Sequence, residues 1–308
     1  MKRYLILVNP SSGGGRSLSL WARFARRLPN SESVILHSIE EASERAEEAA
    51  EKGTADAVIA LGGDGTIHAV ANGLLRSSRG GGSDGDGASL LPLGVLYGGT
   101  SPDFCRFHGI PLDPEAALEV ILAGHAERVE VLQIEHNGKI RRVLCSCNFG
   151  MGADVAQQAN TLRRFCGDRT GTLLALIRNL LKSPEYDYML NGRPLKHCNH
   201  LLITRMPYIA GGLKIALPPL KEEEYLLWHL RNHSFLNWLG LLGKFYRGAP
   251  CGESAVCSGM LEIDTLPPGA DGGKIEYDGD PRGTLPARIS PSERKLLLLK
   301  PGTNERQS

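Results

Sequence analysis

The sequence lacks any long apolar run. Nowhere do about 18 apolar residues follow one another, which is the length that a helix needs to cross a bilayer. The chain also lacks an excess of charge of one sign, because 35 Lys and Arg stand against 34 Asp and Glu and the formal net charge is +1. No overall field therefore draws the protein to nucleic acid. We expect no transmembrane segment and no nucleic-acid partner.

The seven cysteines contain no Cys-x-x-Cys pair, and the closest two are Cys145 and Cys147. An odd number of cysteines without such spacing favours reduced thiols over a disulfide framework. The first residues lead directly into an apolar run at residues 4–8, which is too short for the apolar region of a signal peptide. The sequence therefore predicts a cytoplasmic protein that at most contacts a membrane peripherally.

Common site signatures are missing as well. The sequence contains no GxxxxGK[ST], no GxGxxG opening a helix in the first strand-to-helix turn, no HRD or DFG element and no GxSxG. These motifs mark P-loop, dinucleotide, protein-kinase and α/β-hydrolase sites. Any nucleotide chemistry in this chain must therefore rest on a different loop.

Such a loop follows the apolar strand pattern at residues 57–61. The run Gly-Gly-Asp-Gly-Thr at residues 62–66 precedes apolar residues that recur with helical spacing up to Leu75. Glycines at a helix N-terminus let an anion approach backbone N–H groups, and the helix dipole favours negative charge there. Asp64 would repel a phosphate unless Mg²⁺ lies between them. The pattern predicts a nucleotide and metal site; the alternative is a tight turn in which Asp64 caps the helix.

Strands alternate with helices over residues 1–126, which predicts an α/β domain with an open parallel sheet. Ligands of such sheets bind at the carboxyl ends of the strands. Loops that begin at Asn9, Gly62 and Tyr97 each follow a predicted strand. We expect all three loops at that edge of the sheet.

The pattern changes after residue 126. Hairpin signals at residues 137–138, 191–192 and 278–279 predict a larger, mainly antiparallel β domain over residues 127–301. Its C-terminal segment is a candidate for returning to the first domain, and residues 302–308 form a tail. An apolar helix predicted at residues 235–246 either belongs to the core or touches lipid. A glycine-rich insertion at residues 79–89 carries no predicted chemistry.

Several motifs together resemble the diacylglycerol kinase catalytic family of lipid kinases, in matching order and over nearly the whole chain. The resemblance implies a two-domain fold shared with NAD kinases, in which an α/β nucleotide-binding domain joins a β-rich domain with the lipid site. The motifs are Asn-Pro-Ser-Ser-Gly at residues 9–13, residues 62–66 with Asn-Gly-Leu at 72–74, Gly-Thr at 99–100 with Asp-Phe at 103–104, Asn-Phe-Gly-Met-Gly-Ala-Asp at 148–154, Gly-Gly-Leu-Lys at 211–214 and Asp-Gly-Asp at 278–280.

The resemblance also implies ATP and Mg²⁺ as cofactors, and a set of site residues. Asp278 is the implied base for the acceptor hydroxyl, with Asp280 beside it in the position where the family typically has glutamate. Two nearby carboxylates can raise the pKa of one of them, although Asp-Gly is also an ordinary hairpin turn. Asp64 is implied to lie near the phosphates, as a catalytic residue and a ligand of the Mg²⁺ of Mg-ATP. The residues implied to hold ATP are Asn9, Ser11, Gly62, Gly63, Asp64, Gly65, Thr66 and Thr100, with Ser38 as a candidate for a further contact.

Some positions depart from the family pattern. Pro102 stands where the family typically has asparagine, and Ala69 where it has an acidic residue, so we expect weaker nucleotide binding. Asp280 is one methylene shorter than glutamate, which changes the reach of its carboxylate. Residues 220–225 replace an Asp- and Gly-rich run that binds a second, structural metal in some bacterial members. The sequence leaves open whether the glutamates there replace those ligands.

The sequence thus predicts a lipid kinase that transfers the γ-phosphate of ATP to a lipid hydroxyl at the membrane surface. The acceptor is diacylglycerol-like or sphingoid-like. One alternative is a kinase of a soluble acceptor, as in NAD kinases. Another is a nucleotide-binding regulatory protein that has lost turnover. The sequence leaves the oligomeric state open, with a homodimer as one candidate.

Overall fold

The structure is a computed structural model that describes residues 2–28, 30–78, 91–166, 168–209, 212–231, 233–270 and 273–302. The chain folds as two compact units. The first comprises Met1–Val131 and the segment that begins at Ser292, and the second comprises Leu132–Pro291. The predicted insertion at residues 79–89 and the predicted tail beyond Gly302 lie outside the described residues.

The strands of both units are numbered here in chain order. They are β1 (Tyr4–Val8), β2 (Ser31–Ile35), β3 (Ala57–Gly62), β4 (Leu93–Tyr97), β5 (Ala126–Val129), β6 (Leu132–His136), β7 (Lys139–Val143), β8 (Ser146–Gly150), β9 (Tyr186–Leu190), β10 (Arg193–Thr204), β11 (Tyr208–Ile209), β12 (Leu213–Lys214), β13 (Glu224–Arg231), β14 (Glu253–Ser258), β15 (Leu261–Thr265), β16 (Lys274–Tyr277), β17 (Asp280–Thr284), β18 (Ala287–Pro291) and β19 (Leu296–Leu299).

The helices are numbered in the same way, and short 3₁₀ turns at Ser12–Gly14 and Ala25–Arg27 flank the first of them. No helix in the described part of the chain combines the length and the apolar character needed to span a membrane. The α-helices are α1 (Arg16–Phe24), α2 (Ile39–Lys52), α3 (Asp64–Arg76), α4 (Asp103–His108), α5 (Pro114–Ala123), α6 (Met151–Cys166), α7 (Asp168–Lys182) and α8 (Phe235–Arg247).

The first unit is built on a six-stranded sheet with the order β2-β1-β3-β4-β19-β5. All neighbours are parallel except β5, which runs antiparallel to β19. Every residue of β1 and β3 is buried, because α1 and α5 pack with one face of the sheet and α3 packs against β3, β4 and β19. Strands buried on both faces read as continuous apolar runs, which is why the sequence predicts them well.

The C-terminal segment completes this first sheet. β19 lies between β4 and β5, and the Arg294 guanidinium donates to the carbonyl oxygens of Leu75 (2.7 Å) and Ser77 (2.6 Å) at the end of α3. Cations favour the C-terminal end of a helix because of its dipole. The observed boundary differs from the predicted one at residue 126, because β5 pairs with β19 and the units divide after Val131.

The second unit is dominated by an eleven-stranded antiparallel sheet. Its main path is β17-β16-β8-β10-β9-β15-β18-β6-β7, and β13 joins β10 to the edge strand β14. The predicted hairpins at Asn137, Asn191 and Asp278 are confirmed, since each of these residues has positive φ and joins two paired strands. Asparagine and aspartate tolerate this conformation better than most residues.

Two local expectations about the second unit need correction. The apolar pattern at residues 143–149 predicts one strand, but the strand breaks at Leu144 and Cys145 because their N–H groups donate to the Asp278 carboxylate. The helix α6 is also missing from the sequence prediction. It begins directly after β8, where Gly150 adopts a φ of 70° that reverses the chain.

Candidate nucleotide and lipid sites

The three predicted loops of the first unit lie together at the carboxyl edge of its parallel sheet. The Asn9 N–H donates to the carbonyl oxygen of Leu61 (3.0 Å), and the Gly98 N–H donates to that of Gly62 (2.8 Å). The loops after β1, β3 and β4 therefore leave the sheet side by side. This is the edge at which open α/β sheets bind their ligands.

Close contact between these loops requires glycine at two positions. A methyl group added to Gly99 would lie 2.6 Å from the Cα of Gly63 and 2.6 Å from the hydroxyl oxygen of Tyr97. One added to Gly63 would lie 3.2 Å from the Cα of Gly99 and 3.3 Å from the Ser12 hydroxyl. A side chain at Gly99 would overlap the backbone at Gly63, and one at Gly63 would crowd Gly99 and Ser12, so glycine at both positions lets the loops approach closely.

Side chains from the first two loops bond to each other. The Asn9 amide donates to the Thr66 hydroxyl (2.9 Å), and its amide oxygen accepts from the Ser11 N–H (3.1 Å). Thr66 is buried, whereas Ser11 is exposed. The structure thus brings Asn9, Ser11 and Thr66 together, and the first and last of these hold the two loops in register.

Asp64 is the first residue of α3, and it does not cap the helix. The N-cap residue is Gly63, which has no side chain to bond the first helical N–H groups. The Asp64 carboxylate instead accepts from the Tyr97 hydroxyl (2.7 Å), whose oxygen accepts from the Ser101 N–H (2.9 Å). Burial, and then the charge of Asp64, raise the pKa of Tyr97. Tyr97 therefore stays a donor and orients the carboxylate.

The remaining candidates for ATP contact lie at the same edge with different surroundings. Thr100 is exposed in the loop after β4. Ser38 follows β2 and acts as a helix cap, because its hydroxyl accepts from the Glu41 N–H (3.1 Å). Pro102 is buried and is the N-cap residue of α4. A contact of Ser38 or Thr100 with ATP stays a prediction.

The residues of this edge fit a phosphate and a metal that accompanies it. Gly63, the N-cap residue of α3, has no side chain to cover the helix N-terminus, where backbone N–H groups favour an anion. Within the described ranges no three His, Cys, Asp or Glu side chains cluster as a metal cage. Mg²⁺ is usually held by one or two carboxylates and the phosphates of a nucleotide, and Asp64 is such a carboxylate.

In the second unit, one row of paired residues runs from polar to apolar across four strands. Glu276 of β16 pairs with Asn148 of β8, Asn148 pairs with Leu202 of β10, and Leu202 pairs with Trp228 of β13. Directly paired residues point to the same face of a sheet. We call this set the polar-to-apolar row.

The apolar end of the row belongs to a cluster that lies under three helices, α6, α7 and α8. Leu201 and Ile203 point to the opposite face and pack in the other core of the unit, as strand alternation requires. The predicted apolar helix, α8, contributes Trp238, Leu241 and Phe245. The helix-covered cluster comprises Met151, Leu180, Leu202, Ile215, Leu226, Trp228, Leu230, Trp238, Leu241 and Phe245.

Asp278 lies in the turn between β16 and β17, yet its side chain is buried, with the residue 7% exposed. One carboxylate oxygen accepts from the Leu144 N–H (2.9 Å), and the other accepts from the N–H groups of Cys145 (2.6 Å) and Ser146 (3.3 Å). The hairpin turn and a fixed carboxylate are therefore both present. Backbone bonds of this kind hold a carboxylate in one orientation.

Glu276 is a buried carboxyl group that the sequence analysis did not select. It accepts from the Gly279 N–H (2.6 Å) and from the Asn148 amide. Burial raises the pKa of Glu276 to about 8, the charges of Asp278 and Asp280 add to the rise, and the two hydrogen bonds oppose it. Glu276 is therefore a buried carboxyl group with a raised pKa, and it lies two residues before Asp278.

Asp280 has a different environment from these two carboxyl groups. Its carboxylate accepts from the Arg282 guanidinium (2.8 Å), and its side chain is 42% exposed. The sequence places Asp280 and Asp278 two residues apart, but the turn gives one a surface ion pair and the other a buried set of backbone donors. Their contribution to one catalytic group stays a prediction.

Residues 220–225, which the resemblance compares with a structural-metal site of some bacterial members, bind the side chain of a cation, Arg205. The guanidinium of Arg205 donates to the carbonyl oxygens of Lys221 (3.3 Å) and Glu224. The Glu224 carboxylate accepts from the Lys221 N–H (2.8 Å). Carbonyl and carboxylate oxygens are the ligands that a divalent ion would need. The residues present do not fit that metal, because a fixed positive charge already binds these oxygens.

We expect Arg205→Met to lower the free energy of unfolding by about 1–3 kcal/mol, since two carbonyl oxygens lose a charged donor. Chelation with EDTA should leave the melting temperature of the wild type unchanged. Urea denaturation and a thermal melt measure the two effects. Arg288→Met is the matched control, because its exposed pair with Glu262 contributes at most about 1 kcal/mol. A melting temperature that falls on chelation would contradict the assignment.

Tyr97, Glu276 and Arg205 are the functional candidates that sequence reasoning missed. A signal existed for Glu276, because Lys274 and Glu276 alternate with apolar residues in the run that leads to the Asp-Gly turn at residue 278. Charged residues on one face of a strand in a buried sheet indicate a polar site. Tyr97 and Arg205 carried no local signal, since their partners lie on other elements.

The structure shows an α/β unit with a parallel sheet and a larger antiparallel β unit, as predicted. This is the fold of a solved diacylglycerol kinase from Bacillus anthracis, with a TM-score of 0.74, 18% identity and 98% of each chain covered. Residues 3–134 match the family described as the diacylglycerol kinase catalytic domain. These findings confirm the predicted fold class and the resemblance to that family.

Curated relatives agree with this assignment. A diacylglycerol kinase of Staphylococcus aureus is 32% identical over 141 residues, which cover 42% of this chain and 39% of that protein. The sphingoid long chain base kinase 4 of Schizosaccharomyces pombe is 25% identical over 189 residues, which cover 60% of this chain and 40% of that protein. The chain thus spans about half or less of the length of the curated relatives it matches. These relatives are lipid kinases by name, and the chain is similar to them over the stated residues.

Proposed function

We propose that the protein is an ATP- and Mg²⁺-dependent lipid kinase that transfers the γ-phosphate to the hydroxyl of a diacylglycerol-like or sphingoid-like lipid. We further propose that it is cytoplasmic and contacts the membrane peripherally. The names of the relatives support a lipid kinase but leave the acceptor open. The proposal for the acceptor rests on the second unit.

The observation that carries the proposal is the polar-to-apolar row. It begins at a buried carboxyl group, Glu276, and ends at Trp228 in the helix-covered cluster. A lipid with a hydroxyl head and an apolar tail has the same polarity gradient. A soluble acceptor such as a dinucleotide would leave the apolar end unmatched.

Phosphoryl transfer needs positioning, charge neutralisation and removal of a proton from the acceptor hydroxyl. When bound, Mg-ATP supplies the phosphoryl group and the metal charge. Asn9 and Thr66 hold the glycine loops in register, and Tyr97 orients the carboxylate of Asp64, which would hold the metal. Asp278 is the proposed base that takes the hydroxyl proton. Below about pH 8, Glu276 carries its own proton and stays neutral beside Asp278.

Incubation of the protein with labelled ATP, Mg²⁺ and a total lipid extract tests this function. We expect a labelled lipid from the wild type, and a loss of about 10²–10³-fold in its rate of formation for Asp64→Asn, since the variant loses the charge that would bind Mg²⁺. Asp113→Asn is the control, because Asp113 also lies at a helix N-terminus of the first unit and caps α5.

The outcomes separate the alternatives. Measurable ATP binding without any labelled lipid would contradict the kinase proposal and favour a regulatory nucleotide-binding protein. Label transferred to a water-soluble acceptor instead of a lipid would favour the branch typical of NAD kinases. A labelled product that migrates with phosphatidic acid or a phosphorylated sphingoid base would identify the acceptor.

A further inference from the structure

The helix α7 has an exposed apolar stripe. Leu173, Leu174, Ile177 and Leu181 are 55%, 45%, 41% and 62% exposed, respectively. Residues at i, i+4 and i+8 lie one above the other on a helix, and Leu174 lies beside them. These four residues, which we call the α7 stripe, form one continuous apolar surface, unlike the isolated exposed apolar residues that are normal for a protein surface.

Basic residues border the stripe. Arg178 and Lys182 are exposed, and helical geometry places both along one side of it. They are the only charged residues among the α7 side chains that the structure describes. Neither makes an ion pair with any other residue in the described part of the chain. An apolar stripe beside exposed Lys and Arg is typical of a helix that lies in a membrane interface.

The face of α7 that adjoins the stripe packs on the helix-covered cluster. Leu180 belongs to this cluster and Leu176 packs against it. The same helix therefore separates the apolar end of the polar-to-apolar row from solvent. A bilayer on the α7 stripe would lie directly beside the place where the proposed acceptor tail binds.

We propose that the α7 stripe, with Arg178 and Lys182, docks the protein on an anionic lipid surface. The biological role of this docking rests on the proposed lipid kinase function, whereas its test measures vesicle binding and does not depend on that function. A second copy of the chain fits the stripe less well, because a symmetric contact would bring Arg178 and Lys182 close to the same charges of the partner copy. Anionic headgroups offer the complementary charge, and the acyl region takes the four apolar side chains.

Sedimentation with vesicles tests the inference without any activity measurement. Wild type should bind vesicles that contain phosphatidylcholine and phosphatidylglycerol more tightly than phosphatidylcholine alone. Leu173→Ser combined with Ile177→Ser should lower the partition coefficient by about tenfold or more, since two apolar side chains lose their burial. Arg178→Gln combined with Lys182→Gln should lower binding to the anionic vesicles by about fivefold per charge.

Ile140→Ser is the matched control for the serine variants, because Ile140 is 49% exposed on β7, away from the stripe. It should bind vesicles like the wild type. Equal loss of binding in this control, or full binding by the Leu173 and Ile177 variant, would overturn the proposal. So would a stripe variant that changes only the oligomeric state in sedimentation velocity.

An activity measurement then separates this proposal from the proposed function. The stripe variant should phosphorylate a short-chain lipid in solution like the wild type and lose activity on the same lipid head in vesicles. If the wild type phosphorylates neither substrate, the kinase function fails while vesicle binding still decides the docking surface.

Discussion

Asp278→Asn is expected to lower phosphoryl transfer to a lipid hydroxyl by about 10²–10⁴-fold, the range typical for loss of a general base. Asparagine keeps one oxygen that can accept a backbone N–H but cannot take the hydroxyl proton. The turnover rate under saturating ATP and lipid measures the effect. ATP affinity should stay near that of the wild type, since the nucleotide loops belong to the first unit.

This variant also perturbs structure, because its NH₂ group would face an N–H donor of Leu144, Cys145 or Ser146. An unsatisfied buried donor costs about 1–3 kcal/mol, so a melting temperature must accompany the rate. Asp187→Asn is the matched control, since the Asp187 carboxylate of β9 accepts from the backbone N–H of His197 (2.8 Å) in the neighbouring strand β10 of the same unit. Transfer by Asp278→Asn at the wild-type rate would show that another group is the base.

Glu276→Gln is expected to remove a large pH dependence of stability. The unfolded carboxyl group titrates near its ordinary value, whereas the pKa of buried Glu276 is about 8. Between these two values the folded state keeps a proton that the unfolded state has released. The free energy of unfolding of the wild type should therefore fall as pH rises, by about 1.4 kcal/mol for each pH unit crossed, and level off above pH 8.

Glutamine is neutral at every pH, so the unfolding free energy of the variant should lose this slope. Relative to the wild type, the variant should therefore gain stability as the pH rises from 5 to 8. Its amide offers one acceptor for the two donors at Gly279 and Asn148, which adds a constant destabilisation. The slope of unfolding free energy against pH, from urea titrations at several pH values, is therefore the readout. Glu262→Gln, at an exposed position of the same unit, should keep the wild-type slope. Parallel slopes for wild type and Glu276→Gln would disprove the assignment.

The sequence predicts the parts of the fold that rest on local patterns. Continuous apolar runs mark β1 and β3, and Asn-Gly or Asp-Gly pairs mark three hairpins, because each depends on neighbouring residues alone. The domain boundary, in contrast, does not depend on neighbouring residues alone. β5 belongs to the first unit only because it pairs with β19, which lies near the other end of the chain, and no local pattern reports such a partner.

The same distinction holds for the candidate sites. The glycine turn before α3 is visible in the sequence, since a helix N-terminus and its glycines are contiguous. The bond from Tyr97 to Asp64 depends on β3 and β4 being neighbours, and the bond from Arg205 to Glu224 depends on the end of β10 approaching the start of β13. The raised pKa of Glu276 depends on burial. These features follow from tertiary structure, and periodicity cannot report them.

The position of β19 sets an order for synthesis of the protein. When a ribosome has completed β5, the parallel sheet still lacks the strand that lies between β4 and β5. The whole second unit is translated before that strand emerges. The antiparallel unit can therefore fold before β19 is synthesised. Until then β4 and β5 of the first sheet each have an unpaired edge. A chain that stops before β19 leaves those edges open, as a template for association with other chains.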